Sequence, residues 1–328
     1  MPADIAIPRA PELLARMAGR RVVVVGDVMI DEWIWGNVSR ISPEAPVPVV
    51  AVRDHSFTLG GSGNVAHNLR ALGANVAFVG VVGDDAEGER VRGLFAEIDC
   101  DTHGVLTLGD RPTTRKTRVV AHNQQVVRAD WESTAPLTDA DRARVIDAVR
   151  RTIVGADAVV LSDYAKGLFH RDIVEAALGA PIVVADPKPD NVMLFGGVTC
   201  IAPNASEAAR ASGVPIVDAA SLERAGRTLL ERLSCRYVLI TRGENGMSLF
   251  GRDGEREDIP SVARTVYDVS GAGDTVVAVL TLALAAGVAI GTATRLANYA
   301  AGAVVGKLGT ATASPDEIIA LMEHDAGR

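Results

Sequence analysis

Arg21-Val-Val-Val-Val-Gly-Asp27 decides the fold. Four consecutive β-branched valines leave no polar face, so the segment reads as a strand covered on both sides and ending in a turn. Comparable apolar runs recur at residues 76–82, 158–163, 182–186, 199–203 and 237–241. Between them the spacing predicts helices over 64–72, stopped by Gly73, and over 85–98, 138–153, 171–178, 205–212 and 221–233. Strand alternating with helix predicts an α/β fold, a mostly parallel central sheet with helices on both faces. Helical patterns at 274–286, 292–307 and 315–324 follow.

Two stretches interrupt the alternation. Residues 33–58 and 105–130 hold short β-type runs, prolines and turn residues without a long helical pattern. Both are insertions, so they are expected to assemble as a small β-sheet lid near the carboxyl ends of the parallel strands, where such folds bind ligands. On this reading residues 1–328 form one domain.

Composition narrows the function classes. The chain is 48% hydrophobic and 23% charged with 32 glycines, which excludes a disordered chain and supports a large core with many tight turns. Aromatics are only 4%, so Val, Leu, Ile and Ala must build that core. The net charge of -8 gives no bulk attraction to nucleic acid or an anionic membrane, and neither is expected as a partner. An anionic substrate therefore needs a local basic cluster. Cys100, Cys200 and Cys235 are far apart and lack C-x-x-C spacing, so they read as buried thiols in a reducing compartment. Met1-Pro-Ala-Asp4 opens no signal-peptide pattern, and the longest apolar stretch, 276–289, is too short to span a bilayer. A cytoplasmic protein is expected.

The chemistry concentrates in Asp268-Val-Ser-Gly-Ala-Gly-Asp274, followed by an apolar helical run. Gly271 and Gly273 allow a tight turn, and a helix opening there points free N–H groups at an anion. Asp274 falls in the first turn, where a carboxylate can take a proton from an attacking hydroxyl while amides stabilise phosphate oxygens. The blander role for it is to complement the helix dipole. Gly60-Gly-Ser-Gly-Asn-Val-Ala66 matches a relaxed dinucleotide fingerprint, with Asp84 and Asp85 about twenty residues on. Its context argues against that, because residues 53–58 do not read as a buried parallel strand. No Walker A sequence is present, so any use of ATP proceeds without a P-loop.

By its spacing Asn204-x-x-Glu207 reads first as a helix capping box, which is compatible with a role in which Glu207 orders Mg²⁺ through water. Thr241-Arg-Gly-Glu-Asn-Gly246 reads as a hairpin turn or a turn against a nucleotide. Arg111, Arg115, Lys116, Arg118 and Arg128 supply local positive charge, and on a strand Lys116 and Arg118 point the same way. They could hold a phosphate already on a sugar, or form a solvated lid face. Asp27, Asp31 and Asn64 can bind sugar hydroxyls, and Asp186-Pro-Lys188 stands at another strand end. Turn formation and capping are the plain alternative for these polar positions.

Taken together, these residues resemble the ribokinase-like carbohydrate kinases, also called the phosphofructokinase-B type. Gly60-Gly61 through Asn64 is similar to the family's first signature and Asp268–Asp274 to its second, with Asn204-x-x-Glu207 and Thr241-Arg-Gly243 between them in the right order. The resemblance covers roughly residues 20–320. It implies an α/β/α sandwich with a small β-sheet lid that often forms a dimer clasp, and transfer of the γ-phosphoryl of MgATP to a sugar hydroxyl. It makes Asp274 the base and Gly271, Ala272 and Gly273 the anion hole. Asn204, Glu207, Thr241, Gly243 and Gly246 are placed near ATP and metal, with a monovalent cation as a further candidate. Asp31, Gly61, Asn64, Lys116, Arg118, Asp186 and Lys188 are the candidate substrate residues.

Ser39-Arg-Ile-Ser-Pro-Glu-Ala-Pro-Val-Pro48, Asn123-Gln-Gln125 and Asp186-Pro-Lys188 resemble the bacterial heptose 7-phosphate kinases. That resemblance implies phosphorylation of the anomeric O1 of D-glycero-β-D-manno-heptose 7-phosphate toward ADP-heptose and the lipopolysaccharide core, with a separate phosphatase and nucleotidyltransferase downstream. Alternatives are a kinase for fructose 6-phosphate or ribose, a sugar-phosphate sensor and, more remotely, an NAD-dependent oxidoreductase.

Overall fold

Val22, Val23, Val24 and Val25 are fully buried, and their side chains divide alternately between two cores. They lie in β1 (Arg21–Gly26), parallel to β4 (Asn75–Gly83) on one side and β8 (Ala158–Ser162) on the other. The parallel set continues through β9 (Val183–Asp186), β10 (Cys200–Ile201) and β11 (Tyr237–Thr241), and β5 (Asp101–Leu108) joins β4. An antiparallel pair, β12 (Met247–Gly251) and β13 (Arg256–Ile259), completes a nine-stranded sheet in the order β13-β12-β11-β10-β9-β8-β1-β4-β5. The computed structural model describes residues 10–122, 124–263, 269–307 and 309–326. Asp268 and Asn123, quoted above in two of the motifs, lie outside the described residues.

Period-two burial puts Val22, Val24 and Val160 against one helical layer and Val23, Val25, Val159 and Leu161 against the other. The first layer holds α1 (Ala10–Met17), α2 (Ser62–Ala71), α8 (Ala272–Ala285), α9 (Ile290–Val304) and α10 (Pro315–Ala326). α4 (Asp139–Thr152), α5 (Arg171–Ala177), α6 (Ala205–Ser212) and α7 (Ala219–Leu233) cover the second face. α8 is buried continuously from Asp274 to Ala283, which explains its apolar sequence on every side. Each fully buried Val or Leu there contributes about 1.5–3 kcal/mol, so the helix that begins at the glycine turn is firmly anchored.

A second sheet forms the lid, in the order β3-β2-β6-β7: β2 (Val28–Ile41), β3 (Pro48–Gly61), β6 (Arg115–Ala121) and β7 (Gln124–Trp131). It differs from the expected boundaries at both insertions. Only Asp27 separates β1 from β2, and β3 runs on to Gly61, so the first insertion is longer than 33–58. Residues 105–108 belong instead to β5, where Val105 and Leu108 are buried and Gly80 pairs with Val105. A short apolar run does not reveal which sheet it joins, and the lid segment starts only at Arg115.

Other boundaries moved for visible reasons. β10 is two residues long rather than five, since Pro203 has no N–H for a ladder; Asn204 beyond it makes a single bridge to Thr241. α1 was not anticipated. α3 (Ala86–Glu97) starts one residue later than expected because Asp85 caps it, accepting from Gly88 N at 2.8 Å. The strand leading into Gly60-Gly61 is antiparallel to β2 and belongs to the lid, so the dinucleotide context is absent there.

Candidate active site

Five strand ends converge on one side of the large sheet. β1, β8 and β9 end beside Asp27, Asp163 and Asp186, β10 leads to Asn204, and β11 ends at Thr241. The N-termini of α2 and α8 face the same space, joined by buried amide and hydroxyl contacts. Thr275 Oγ1 donates to Asn68 Oδ1 at 2.9 Å, and Asn68 Nδ2 donates to the Asn64 carbonyl at 2.9 Å. This chain brings the two glycine motifs together. Gly61 has φ +57°, and a Cβ there would meet the Asp27 carbonyl at 2.7 Å, so the turn into α2 needs glycine.

Asp274 lies in the first turn of α8 and is 5% exposed. Its Oδ2 accepts from Asn64 Nδ2 at 2.8 Å and its Oδ1 from the Tyr164 hydroxyl at 2.5 Å. Gly271, in the left-handed region at φ +79°, precedes it, and a Cβ there would meet Asn64 Nδ2 at 2.7 Å. Space beside the Cα of Gly273 is open to 4 Å. The amides of Gly273 and Asp274 have no intrahelical carbonyl to donate to, so they can receive an anion.

Two cavities meet at this turn and share Thr241 and Gly273. The smaller, about 130 Å³, is lined by Tyr164, Asp186, Lys188, Asn204, Glu207, Gly271 and Asp274. The larger, about 440 Å³, is bounded by Gly243 and Gly246 on one side and by Ala272, Val276, Ala301, Gly302 and Val305 on the other. Its largely apolar walls suit a flat ring system, whereas the smaller cavity is lined with charge.

Burial dominates the electrostatics. It pushes the Asp274 carboxyl up to about 6, against the opposing hydrogen bonds from Tyr164 and Asn64 and the charge of Lys188; Asp31 adds to the rise. Asp186 is pushed up to about 8 by burial, with Glu207, Asp274 and Asp163 reinforcing it and Lys188 opposing. Burial pulls Lys188 down, but Asp186 and Glu207 outweigh it and the net shift is upward. Lys188 Nζ lies 2.7 Å from Glu207 Oε1, so the ammonium stays charged among carboxylates.

Asn204 and Glu207 form the reciprocal capping box of α6: Glu207 N donates to Asn204 Oδ1 at 2.9 Å and Asn204 N to Glu207 Oε2 at 3.0 Å. The same two side chains line the smaller cavity, so the capping and ligand-facing readings coexist. Thr241 to Gly246 forms the turn between β11 and β12 and also walls the larger cavity. Among the described residues no cluster of three His, Cys, Asp or Glu could enclose a metal ion. One carboxylate facing a phosphate-sized space nevertheless fits Mg²⁺, which keeps several waters and binds through one or two carboxylates plus substrate phosphates.

The basic stretch of the lid is paired rather than free. Lys116 Nζ lies 3.1 Å from Asp130 and 3.4 Å from Glu132, and Lys166 Nζ shares Glu132 at 2.8 Å. Arg118 is bound to Asp31, which is buried, and its guanidinium lies 4.9 Å from the Trp33 ring centroid. The acids come from beyond the stretch, and so were invisible when it was read alone. Lys116 and Arg118 do share one face of β6, in register with Asp31 and Trp33.

Sequence reasoning missed Tyr164, Asp163 and Lys166. The available signal was Ser162-Asp-Tyr164 at the carboxyl end of a buried strand, the position from which such folds present ligands. Asp27 faces the backbone instead of the cavity, accepting from Tyr164 N at 2.9 Å and Lys166 N at 3.2 Å.

Residues 20–317 match the family described as pfkB family carbohydrate kinase. Among similar proteins, the "Bifunctional protein HldE" of Trichlorobacter lovleyi is 45% identical over 320 residues, covering 95% of this chain and 65% of that protein. The protein of the same name from Desulfatibacillum aliphaticivorans is 46% identical over 308 residues, covering 92% of this chain and 63% of that one. The chain thus spans just under two thirds of the length of these curated relatives. In fold it is similar to a ribokinase of Arabidopsis thaliana solved with ribose and ATP, at TM-score 0.73 and 20% identity, covering 93% of this chain and 99% of that one. Phosphofructokinase-2 of Escherichia coli, solved with potassium, gives TM-score 0.78 at 17% identity, covering 94% and 99%.

Proposed function

Because the chain belongs to the pfkB family of carbohydrate kinases, we propose that it transfers the γ-phosphoryl of ATP to the anomeric O1 of D-glycero-β-D-manno-heptose 7-phosphate. The observation that carries the kinase reading is Asp274, a buried carboxylate at the mouth of α8 where the two cavities meet. The choice of sugar rests on the resemblance carried by residues 39–48, Asn123-Gln-Gln125 and Asp186-Pro-Lys188, and on the 45% identity to the bacterial relatives.

On this reading the larger cavity takes the nucleotide base, and the phosphates run toward Gly273. Asp274 accepts the O1 proton through a lone pair left free by Asn64 and Tyr164. The amides of Gly273 and Asp274 and the Lys188 ammonium stabilise charge on the phosphoryl group in flight. Glu207 would hold Mg²⁺ through water, and the ion would supply charge neutralisation on the ATP phosphates. Lys116 and Arg118 hold the distal phosphate once it displaces their carboxylate partners.

The product would go on to phosphatase and nucleotidyltransferase steps. No helix among the described residues is long and apolar enough to cross a membrane. ADP release measured across a panel of sugar phosphates, with ³¹P spectra of the product, tests the proposal. Turnover confined to the heptose, giving a 1,7-bisphosphate, supports it; preferred turnover of fructose 6-phosphate or ribose replaces the substrate; and sugar binding without ADP release removes the kinase reading.

A further inference from the structure

We propose that Tyr164 is a positioning residue for the base: its hydroxyl orients Asp274 for proton abstraction, and the turn that carries it is held by two buried carboxylates at strand ends. The proposal rests on the kinase reading of Asp274 and names a residue which the family motifs quoted above do not contain.

The geometry of the turn after β8 is the first argument. Asp27 Oδ2, at the end of β1, accepts from the backbone N–H groups of both Tyr164 and Lys166. Asp163 Oδ1 accepts from Ala165 N at 2.7 Å, and its Oδ2 from Lys188 N at 3.0 Å. Ala165 sits at φ +54°, a left-handed conformation that costs energy in a residue with a Cβ. Asp27 and the Oδ1 of Asp163, both taken out of water, hold three successive backbone N–H groups, those of Tyr164, Ala165 and Lys166, while the Oδ2 of Asp163 ties the turn to Lys188 N and Asn191. What those residues deliver to the cavity is the Tyr164 side chain.

The second argument is where that side chain goes. Its hydroxyl meets Oδ1 of Asp274, and its ring lies 5.3 Å from Lys188 Nζ, within cation–π range. Tyr164 therefore stands between the base and the cation that faces the phosphoryl group, touching both. With Asn64 on Oδ2, the carboxylate is held from both oxygens, which fixes its plane. A hydrogen bond donated to the charged form also favours that form, so Tyr164 opposes the burial that would keep Asp274 protonated.

The groups facing Asp274 come from every neighbouring element. Asn64 belongs to α2 and Tyr164 to the turn after β8. Asp186 and Lys188 follow β9, and Lys188 is itself paired with Glu207 of α6. Asp31 of β2 is neutralised by Arg118. Tyr164 is the member of this set whose hydroxyl can be removed without changing net charge.

Tyr164→Phe in the full chain is the test, read as kcat and KM against pH. We expect kcat to fall about tenfold near neutral pH with sugar KM within about twofold, and the acid limb of kcat/KM to move up by about one pH unit. In an Asp274→Asn background the same change should alter residual kcat by less than about twofold, because the group it orients is gone. An unmoved acid limb, or an equal fold-loss in both backgrounds, would assign Tyr164 to structure only and overturn the proposal. The ¹³C carboxyl titration of Asp274, identified by its loss in Asp274→Asn, needs no substrate and decides the matter even if no sugar is turned over. A higher midpoint in Tyr164→Phe supports the inference and an unchanged one ends it. Fluorinated tyrosine, a stronger donor, should move the midpoint the other way.

Discussion

A buried carboxylate is useful as a base only across the pH range in which it is ionised. The Asp274 carboxyl is raised to about 6, so kcat/KM should rise with pH through that value and level off above it. Asp274→Asn keeps the shape and one acceptor oxygen for Asn64, but its NH2 must donate to the Tyr164 hydroxyl where a carboxylate oxygen accepted, and it cannot take the proton. Turnover should drop about a hundred- to ten-thousand-fold while sugar KM changes little. Steady-state kinetics check this, and near-normal turnover would remove Asp274 from the mechanism. Asp186 provides a stability counterpart. Its folded carboxyl titrates at about 8, above its ordinary 3.8, so the native state favours the protonated form. That contribution is complete below about pH 4 and is lost as pH rises through about 8. Asp186→Asn should therefore gain stability over the parent as pH increases from 5 to 9, by about 2 kcal/mol at the upper end, while activity falls. Thermal midpoints across that range decide it, and a pH-independent difference would contradict it. At this scale the sequence was readable where chemistry has a spacing. Gly271, Gly273 and Asp274 form a turn-and-helix pattern that few other uses require. Tyr164 has no such pattern, because a single tyrosine after a strand acquires meaning only when Asp274, 110 residues away, folds against it.

The elements were legible in proportion to how much of their evidence is local. β1, β4, β8, β9 and β11 appear near their expected places because uninterrupted valine, leucine and isoleucine runs have few other destinations. Residues 105–108 of β5 read as lid because their partners in β4 lie more than twenty residues back, and sheet membership is a long-range property. The same limit applies to the charge on β6. Lys116 and Arg118 share the expected face, but their neutralising partners are contributed by β2, by β7 and by the segment after it. On the proposed reading a substrate phosphate would have to compete with Asp130 and Glu132 for Lys116, which would reduce the net gain from binding. Lys116→Ala should raise KM for a phosphorylated sugar about three- to tenfold and leave that for its unphosphorylated analogue nearly unchanged. A matched pair of substrates tests this, and equal increases for both would show that the lysine supports the lid without reading the phosphate.

On the scale of the whole molecule, the lid presents a problem that the body does not solve. β3 and β7 are the outer strands of a four-stranded sheet, so among the described residues each leaves one backbone edge without a strand beside it. Ile41, Val47, Val52, Val127 and Trp131 are each about half exposed or more, and all belong to this sheet or to the loop between β2 and β3. An apolar sheet with two open edges invites either aggregation or a specific partner, and a second copy of the same lid is self-complementary under two-fold symmetry. We accordingly expect a homodimer through the lid, with a mass in solution twice the 34.3 kDa of the chain. Val52→Lys combined with Val127→Lys places charge on the outer surface away from Asp274 and the two cavities. Light scattering should report a monomer for that variant at micromolar concentration, with the thermal midpoint of the body little changed. If the lid must be clasped to stay over the sugar, KM for sugar will rise in the monomer while KM for ATP holds, because the larger cavity draws no residue from the lid. A parent protein that is monomeric at the same concentration would show that the exposed apolar strands serve some other purpose, and the lid would then have to close over the sugar without a second copy to brace it.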